Sequence, residues 1–448
     1  MTTLNVKDLI DKSPLGKSHL QAFLCCITSL SFDGYDLVVY GSTIPLLLVA
    51  WNMSPAQAGF IASYAFAAGV FGAILGGFLG DKWGRKNTII FSVVLFSVGT
   101  FACGLATGVI WFAIARTVTG LGLGMTSPNE MALVSEYFPA RYRQTAVSSV
   151  GIGMQIGGIM SALTALWLLQ PYGWQSVYFF GASIIFAVPL FMRYMPEAPW
   201  MLVNKNKNST IRAMLAKLRP DIHVPEDAIF EYPHAKEKST LAMVFADNRA
   251  FSTIMFWLVY LMNMYMIFGT NTWIPKLMMD TGHELGTSLW LFLSLFLGAG
   301  IGSFICGRLA DRIGTKRVLI VLYCGAFVFI SLLSVRMDAY LTALVMAMVG
   351  ACTQGAQNVT HSFVTQYFPP TVKSTMLGWG LGLGRFGGLL GPIVGGVLLS
   401  MKATLFQSFL ALAIPGLIAA LAISLVQERH GYTVRLTAVN KETGVSSQ

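Results

Sequence analysis

Charge is what this chain has least of. Lysine, arginine, aspartate and glutamate make up 11% of its 448 residues, against about 25% in an ordinary soluble domain. That scarcity excludes a water-solvated globule. A hydrophobic share of 55% and a mean hydropathy of +0.64 point to lipid as the medium. Irregular backbone cannot face lipid, so the spans must be helices or a closed barrel. Barrel strands alternate in short segments; the apolar runs here are long and continuous, which selects helices. Metal-ligand spacing is missing too. Cys25, Cys26, Cys103, Cys306, Cys324 and Cys352 all sit inside apolar runs and read as small core residues, with no disulfide and no metal implied. No nucleophile–base constellation, ligand cluster or phosphate loop occurs, which argues against an enzyme and against a cofactor. The GLGLG strings lie within helices, where glycine serves packing. The polar N-terminus lacks the apolar core of a cleaved signal peptide, so the first span is expected to remain in the mature protein.

Apolar segments of spanning length, about 20 residues, are predicted near 20–47, 55–79, 87–107, 109–135, 144–169, 174–195, 250–274, 287–308, 318–336, 339–363, 374–400 and 404–426. The reading is an all-α integral membrane protein of twelve helices. A six-helix bundle at 1–195 is followed by a polar central loop at 196–248, a second bundle at 249–427 and a tail at 428–448. Net charge is +10. With the N-terminus in the cytoplasm, 25 of the 30 lysines and arginines fall on that side, and only Lys276, Arg336 and Lys402 fall outside. That is the positive-inside pattern. It makes the basic excess an orientation signal, with anionic lipid rather than nucleic acid as its partner. Both termini are expected in the cytoplasm of a multi-pass plasma-membrane protein, and a monomer is expected.

The two halves repeat at one offset of 230 residues. GFLGDKWGRK at 77–86 matches GRLADRIGTK at 307–316, and YFPARYRQT at 137–145 matches YFPPTVKST at 367–375. Gly157 and Gly158 match Gly387 and Gly388; Ile44 and Pro45 match Ile274 and Pro275. Parallel repeats of this kind place a substrate site near the bilayer midplane, between the halves. The intramembrane charges do not repeat. Asp33 corresponds to Asn263, Asp36 to Met266, Arg116 to Met346, and Gln155 to Arg385. Shared residues suit a scaffold; unshared ones are candidates for substrate and ion chemistry.

An ionised side chain at the bilayer centre costs at least about 2.5–3.5 kcal/mol, so such residues are functional candidates by default. Asp33 and Asp36 share one face of the first helix. Two close carboxylates in a poorly hydrated place disfavour double ionisation, so the pair can hold and release a proton; the alternative is a structural pair. Arg385 carries a guanidinium fork suited to a carboxylate, either the substrate's or that of Asp33 or Asp36. Arg116 either relays charge between Asp33 and substrate or supports packing. His361 can titrate in the working range. Rings among these helices can line an apolar slot with one cationic end, though most such rings are ordinary core or headgroup-belt residues. Tyr35, Tyr40, Trp273, Trp379 and Phe386 are candidate ring contacts, and Gln155 and Asn263 candidate polar ones. Asp81, Arg85, Asp311 and Glu136 stand at cytoplasmic helix ends, where an acid–base network can lock a gate. Gly77 and Gly84 are expected to permit the tight loop beside it.

GFLGDKWGRK and its weaker copy resemble the signature loop of the major facilitator superfamily. RTVTGLGLG at 116–124 and PEAPWML at 196–202 are similar to further motifs of that superfamily, with Ala198 and Trp200 departing from the last. DGYDLVVYGSTIP at 33–45 and GLGRFGGLLGPIVGG at 382–396 resemble the aromatic acid:proton symporter family, in its benzoate and hydroxybenzoate branch. The resemblance implies proton-coupled uptake of a small aromatic carboxylate by alternating access. It also implies roles for the helix-1 aspartates, Arg116, Glu136 and Arg385. Glu130 departs from the small residue expected at its position, and Lys373 stands where the family commonly has arginine. The rival functions are symport of another organic anion, such as muconate or a sugar acid, and efflux of amphipathic compounds. A non-transporting sensor is disfavoured, since the tail after Gln427 is short for a signalling domain.

Overall fold

The structure is a computed structural model that describes residues 3–222, 224–225, 228–232, 244–246, 248–369 and 372–432. Twelve of its helices are long and apolar enough to cross a membrane, from Lys17–Ala50 to Leu405–Leu425, and they fall where the apolar runs predict. Several reach further at their ends than hydropathy shows. The second spans Pro55–Trp83 and the eighth Leu285–Ile313, so Asp81 and Asp311 stand in the last turns of these helices, at the helix ends where the sequence places them. Gly77 likewise sits within a helix, with nothing within 4 Å of where its Cβ would stand. The tight connection is made by Gly84 alone, at φ +104°, and by its repeat Gly314 at φ +97°. Only glycine adopts that conformation without strain.

The chain packs as two compact units, residues 1–39 with 64–236 and residues 40–63 with 237–448. Within each, small residues let helix backbones touch, the usual means of association in lipid. In the first unit a Cβ on Gly157 would stand 2.0 Å from the Ser31 carbonyl oxygen and 2.5 Å from the Tyr35 nitrogen. In the second, Gly387 stands against Leu261 and Tyr265 at 1.9 and 2.9 Å, each partner 230 residues on. Gly120 against the Ala65 carbonyl and Gly350 against the Leu295 carbonyl, at 2.1 and 1.9 Å, obey the same offset. The sequence repeat is therefore also a repeat of packing contacts.

The first unit has an apolar centre around Cys26, Leu30, Val93, Phe96, Leu123 and Leu133. Its central polar stretch is more than a loop. Thr3–Asn5 pairs in parallel with Ile229–Glu231, and the helices Val6–Asp11, Pro199–Asn204 and Asn208–Leu218 bury Ile10, Leu202, Ile211, Leu215 and Phe230 with Tyr137. Arg143 closes this layer through an ion pair with Asp11. The second unit includes the hairpin 40–63. Ser63 Oγ donates to the Leu389 carbonyl at 2.7 Å, Ala56 N donates to Ser400 Oγ at 2.8 Å, and Gly41 and Gly59 lie on the backbone of Asn271 and Pro392.

Candidate functional site

In the first unit the intramembrane charges are brought together. Arg116 Nη1 donates to Asp36 Oδ2 at 2.7 Å, with both side chains at most 4% exposed. Thr100 Oγ1 donates to Asp36 Oδ1 at 3.0 Å. One turn before Arg116, Phe112 meets Trp174 and Tyr178 edge-on at 6.1 and 5.4 Å, so aromatic rings shield this end of the pair from water. The two aspartates thus have separate surroundings: Asp36 is engaged by arginine, while Asp33, buried one turn away, lies within electrostatic reach of Glu130. Glu130 is fully buried, with the Ser29 hydroxyl beside its carboxyl.

At the helix ends, Arg85 gathers an acid–base network. Its Nη2 lies 3.1 Å from Asp81 and 3.5 Å from Glu136, and its Nη1 donates to Asn129 Oδ1 at 3.2 Å. Asn129 in turn donates to the Gly76 carbonyl at 2.9 Å. Glu197 accepts from the Lys86 and Ala198 backbone nitrogens at 3.2 and 2.9 Å, beside the glycine turn. Asn129 and Glu197 carry no assigned role from sequence, though Glu197 stands inside PEAPWML. The second unit repeats the layout without the charge. Thr315 takes the place of Arg85 and Gln366 that of Glu136, and Thr315 Oγ1 donates to Gln366 at 3.3 Å. Asp311 is exposed and makes no ion pair among the described residues. Replacing Arg85 with glutamine is therefore expected to lower uptake by about tenfold or more, from loss of charge-assisted bonds worth roughly 1.5–3 kcal/mol. Asp311→Asn should stay within about twofold. Initial rates at matched expression check both.

The second unit holds a neutral polar chain. Tyr260 Oη lies 2.7 Å from His361 Nδ1, Gln357 Nε2 lies 3.3 Å from His361 Nε2, and Asn263 donates to Gln357 Oε1. The Oδ1 atom of Asn263 has no hydrogen-bond partner among the described residues. A single π turn at Ala351–Gly355 precedes Gln357 and re-aims this stretch of the tenth helix; such bulges are frequent at functional sites. Tyr260 and Gln357 carried no sequence signal beyond the i, i+4 spacing of Gln357 and His361. Arg385, half-buried, belongs to the helix Lys373–Ser400.

The aromatic candidates divide into enclosed and exposed rings. Tyr35 is wholly enclosed and donates to the Val177 carbonyl at 2.7 Å; Tyr40 donates to the Ala58 carbonyl at 2.9 Å. Trp273 is also wholly enclosed, donating to the Pro392 carbonyl at 2.9 Å against Gly395 and Gly396. These three tie helices to one another. Trp379 and Phe386 are exposed. Gln155 is half-buried and makes no side-chain hydrogen bond among the described residues.

The Major Facilitator Superfamily model matches residues 24–295 and 256–445, and the chain belongs to that superfamily: it is a multi-pass membrane transporter and not an enzyme. Among its relatives, a benzoate transport protein of Acinetobacter baylyi is 36% identical over 96% of this chain and 94% of its own length. A gallate transporter of Pseudomonas putida is 30% identical over 94% of each. In fold, the chain resembles a bacterial homolog of the human lysosomal transporter Spinster, solved inward-facing and occupied. That likeness has a TM-score of 0.71 at 16% identity over 94% of this chain and 99% of the other.

Proposed function

We propose that this chain carries a small aromatic carboxylate, such as benzoate or a hydroxybenzoate, into the bacterial cell with protons, by alternating access. The inner membrane is its place, with both termini in the cytoplasm. Its similarity along nearly the whole length to a benzoate transport protein supports the substrate class. The observation that carries the coupling is a surplus of acid. Among the described residues, the buried part of the first unit holds three acids, Asp33, Asp36 and Glu130, against Arg116, with His19 apart from them beside Tyr137 and Phe138. Buried charges need partners, and Arg116 is occupied by Asp36. Glu130, fully buried with no base shown beside it, calls for a proton.

The physical need is plain. An anion entering a negative interior is opposed by about 2.3 kcal/mol per charge per 100 mV. One proton cancels that charge, and a second adds driving force. Arg385 supplies a planar fork for the carboxylate. Asn263, Gln357, Tyr260 and His361 offer donors and acceptors to ring substituents. Asp81, Arg85 and Glu136 form the contact that must break when the cytoplasmic side opens.

The test is uptake of labelled benzoate, 4-hydroxybenzoate, gallate and muconate by proteoliposomes. Accumulation is expected for aromatic acids when the outside is made acidic. Uptake indifferent to the pH gradient would remove the coupling, and a preference for muconate would remove the aromatic substrate. In the same assay Arg385→Gln is expected to raise KM by roughly ten- to a hundredfold, the worth of about 1.5–3 kcal/mol in charge-assisted contacts.

A further inference from the structure

Glu130 is a carboxyl on an apolar stripe. It follows Leu123 by two turns and precedes Leu133 and Val134 on the face of the helix Val109–Tyr137 that packs into the core of the first unit. The polar and titratable groups shown to act on it stand on the first helix. They are Ser29, Asp33 and Cys26; no base is among them. Ser29 is also fully buried, and its hydroxyl is a donor beside the Glu130 carboxyl. An ionised carboxylate left so is costly, whereas the neutral acid is far less so and gains a donor. Nothing in helix packing asks for an acid there. In the repeat, position 130 corresponds to Thr360, whose hydroxyl is paired with Tyr323 at 2.8 Å.

Along the chain the polar groups of this unit form a ladder. Asp36, held by Arg116, is followed by Asp33 three residues back and Ser29 one turn further, with Glu130 beside them. Asn129 and the Arg85–Glu136 network come next. We propose that Glu130 is a proton-carrying residue of this transporter, exchanging a proton with Asp33 and releasing it toward the end of the unit bearing Arg85 and Glu136. The inference rests on the proton-coupled reading above and adds to it a second carrier beyond the helix-1 aspartates. The proton arrives from the acidic side, resides on one Glu130 oxygen, and leaves to water at the other side as the carboxylate forms transiently.

The experiment uses the full chain in proteoliposomes, with wild type, Glu130→Gln and Glu130→Asp. Two assays are compared: benzoate accumulation driven by a pH gradient, and benzoate exchange at equal pH, which needs no net proton movement. Glu130→Gln, which mimics the protonated acid in shape, is expected to keep exchange within about twofold and to lose at least about tenfold in accumulation, or 1.4 kcal/mol. Glu130→Asp should restore accumulation with a shifted pH midpoint. Accumulation by Glu130→Gln equal to wild type overturns the inference while leaving symport intact. A wild type that ignores the pH gradient overturns symport itself, and this carrier role with it. Should Glu130→Gln not fold, an unshifted pH midpoint in Glu130→Asp overturns the proposal.

Discussion

Exchanging Asp36 and Arg116 together for methionine is expected to leave a folded, membrane-inserted protein that no longer accumulates substrate. The reason lies in the repeat. The residues 230 positions on are Met266 and Met346, both fully buried, so the second unit already builds this layer without charge. Breaking a buried ion pair by removing one partner costs about 3–5 kcal/mol, while replacing both with apolar groups of similar volume is often neutral or stabilising. Asp36→Met or Arg116→Met alone should therefore yield little folded protein. The double variant should recover, and adding Thr100→Ile, which copies Ile330, should recover it further by removing the hydroxyl that loses its acceptor. Thermal unfolding followed by size-exclusion in detergent gives the first readout, and uptake the second. A double variant as unstable as the single ones would make the pair a structural element. A double variant that transports would dismiss it from function altogether.

Gly157→Ala and Gly387→Ala are expected to be the most damaging of the conservative substitutions. At each position the added methyl meets a main-chain carbonyl at 2.0 or 1.9 Å. A carbonyl on a neighbouring helix cannot swing away like a side chain. The helices must part by about 1 Å along their contact, and overpacking of this kind typically costs 1–3 kcal/mol, occasionally more. Gly77→Ala and Gly378→Ala, with nothing within 4 Å, are matched controls expected to be silent. Yield and unfolding temperature of the four variants, measured side by side, test this. Equal behaviour of all four would mean that the close approach of these helices is not what holds either unit.

The fold was legible because lipid imposes a coarse rule: continuous apolar runs of sufficient length must be helices, and twelve such runs are present. The repeat was legible for a related reason, since duplicated contacts keep glycine where a neighbouring backbone passes. The clustering of the candidate residues was legible in part. Asp36, Arg116, Arg85, Asp81 and Glu136 announce themselves as charges where charge is rare. Thr100, Asn129, Tyr260 and Gln357 do not, because hydroxyls and amides are ordinary in helices and matter only through a partner far along the chain. Aromatic rings are ambiguous for the opposite reason. Tyr35 and Trp273 lie in the expected helices, but a large amphipathic side chain binds a neighbouring carbonyl as readily as a ligand. The strand pairing of Thr3–Asn5 with Ile229–Glu231 left no trace in hydropathy, since a three-residue ladder between distant segments has no period to detect.

The hairpin 40–63 is encoded in the first half of the chain but packs with the second unit, so the polypeptide passes from one unit to the other three times. Severing the central stretch and producing the two pieces apart would strip the later piece of the residues that cover Asn271, Leu389, Pro392 and Ser400, and would leave the earlier piece with an orphaned apolar loop. The descendants of the duplicated segment are thus no longer self-sufficient modules. The later one completes its packing with residues that the earlier half encodes.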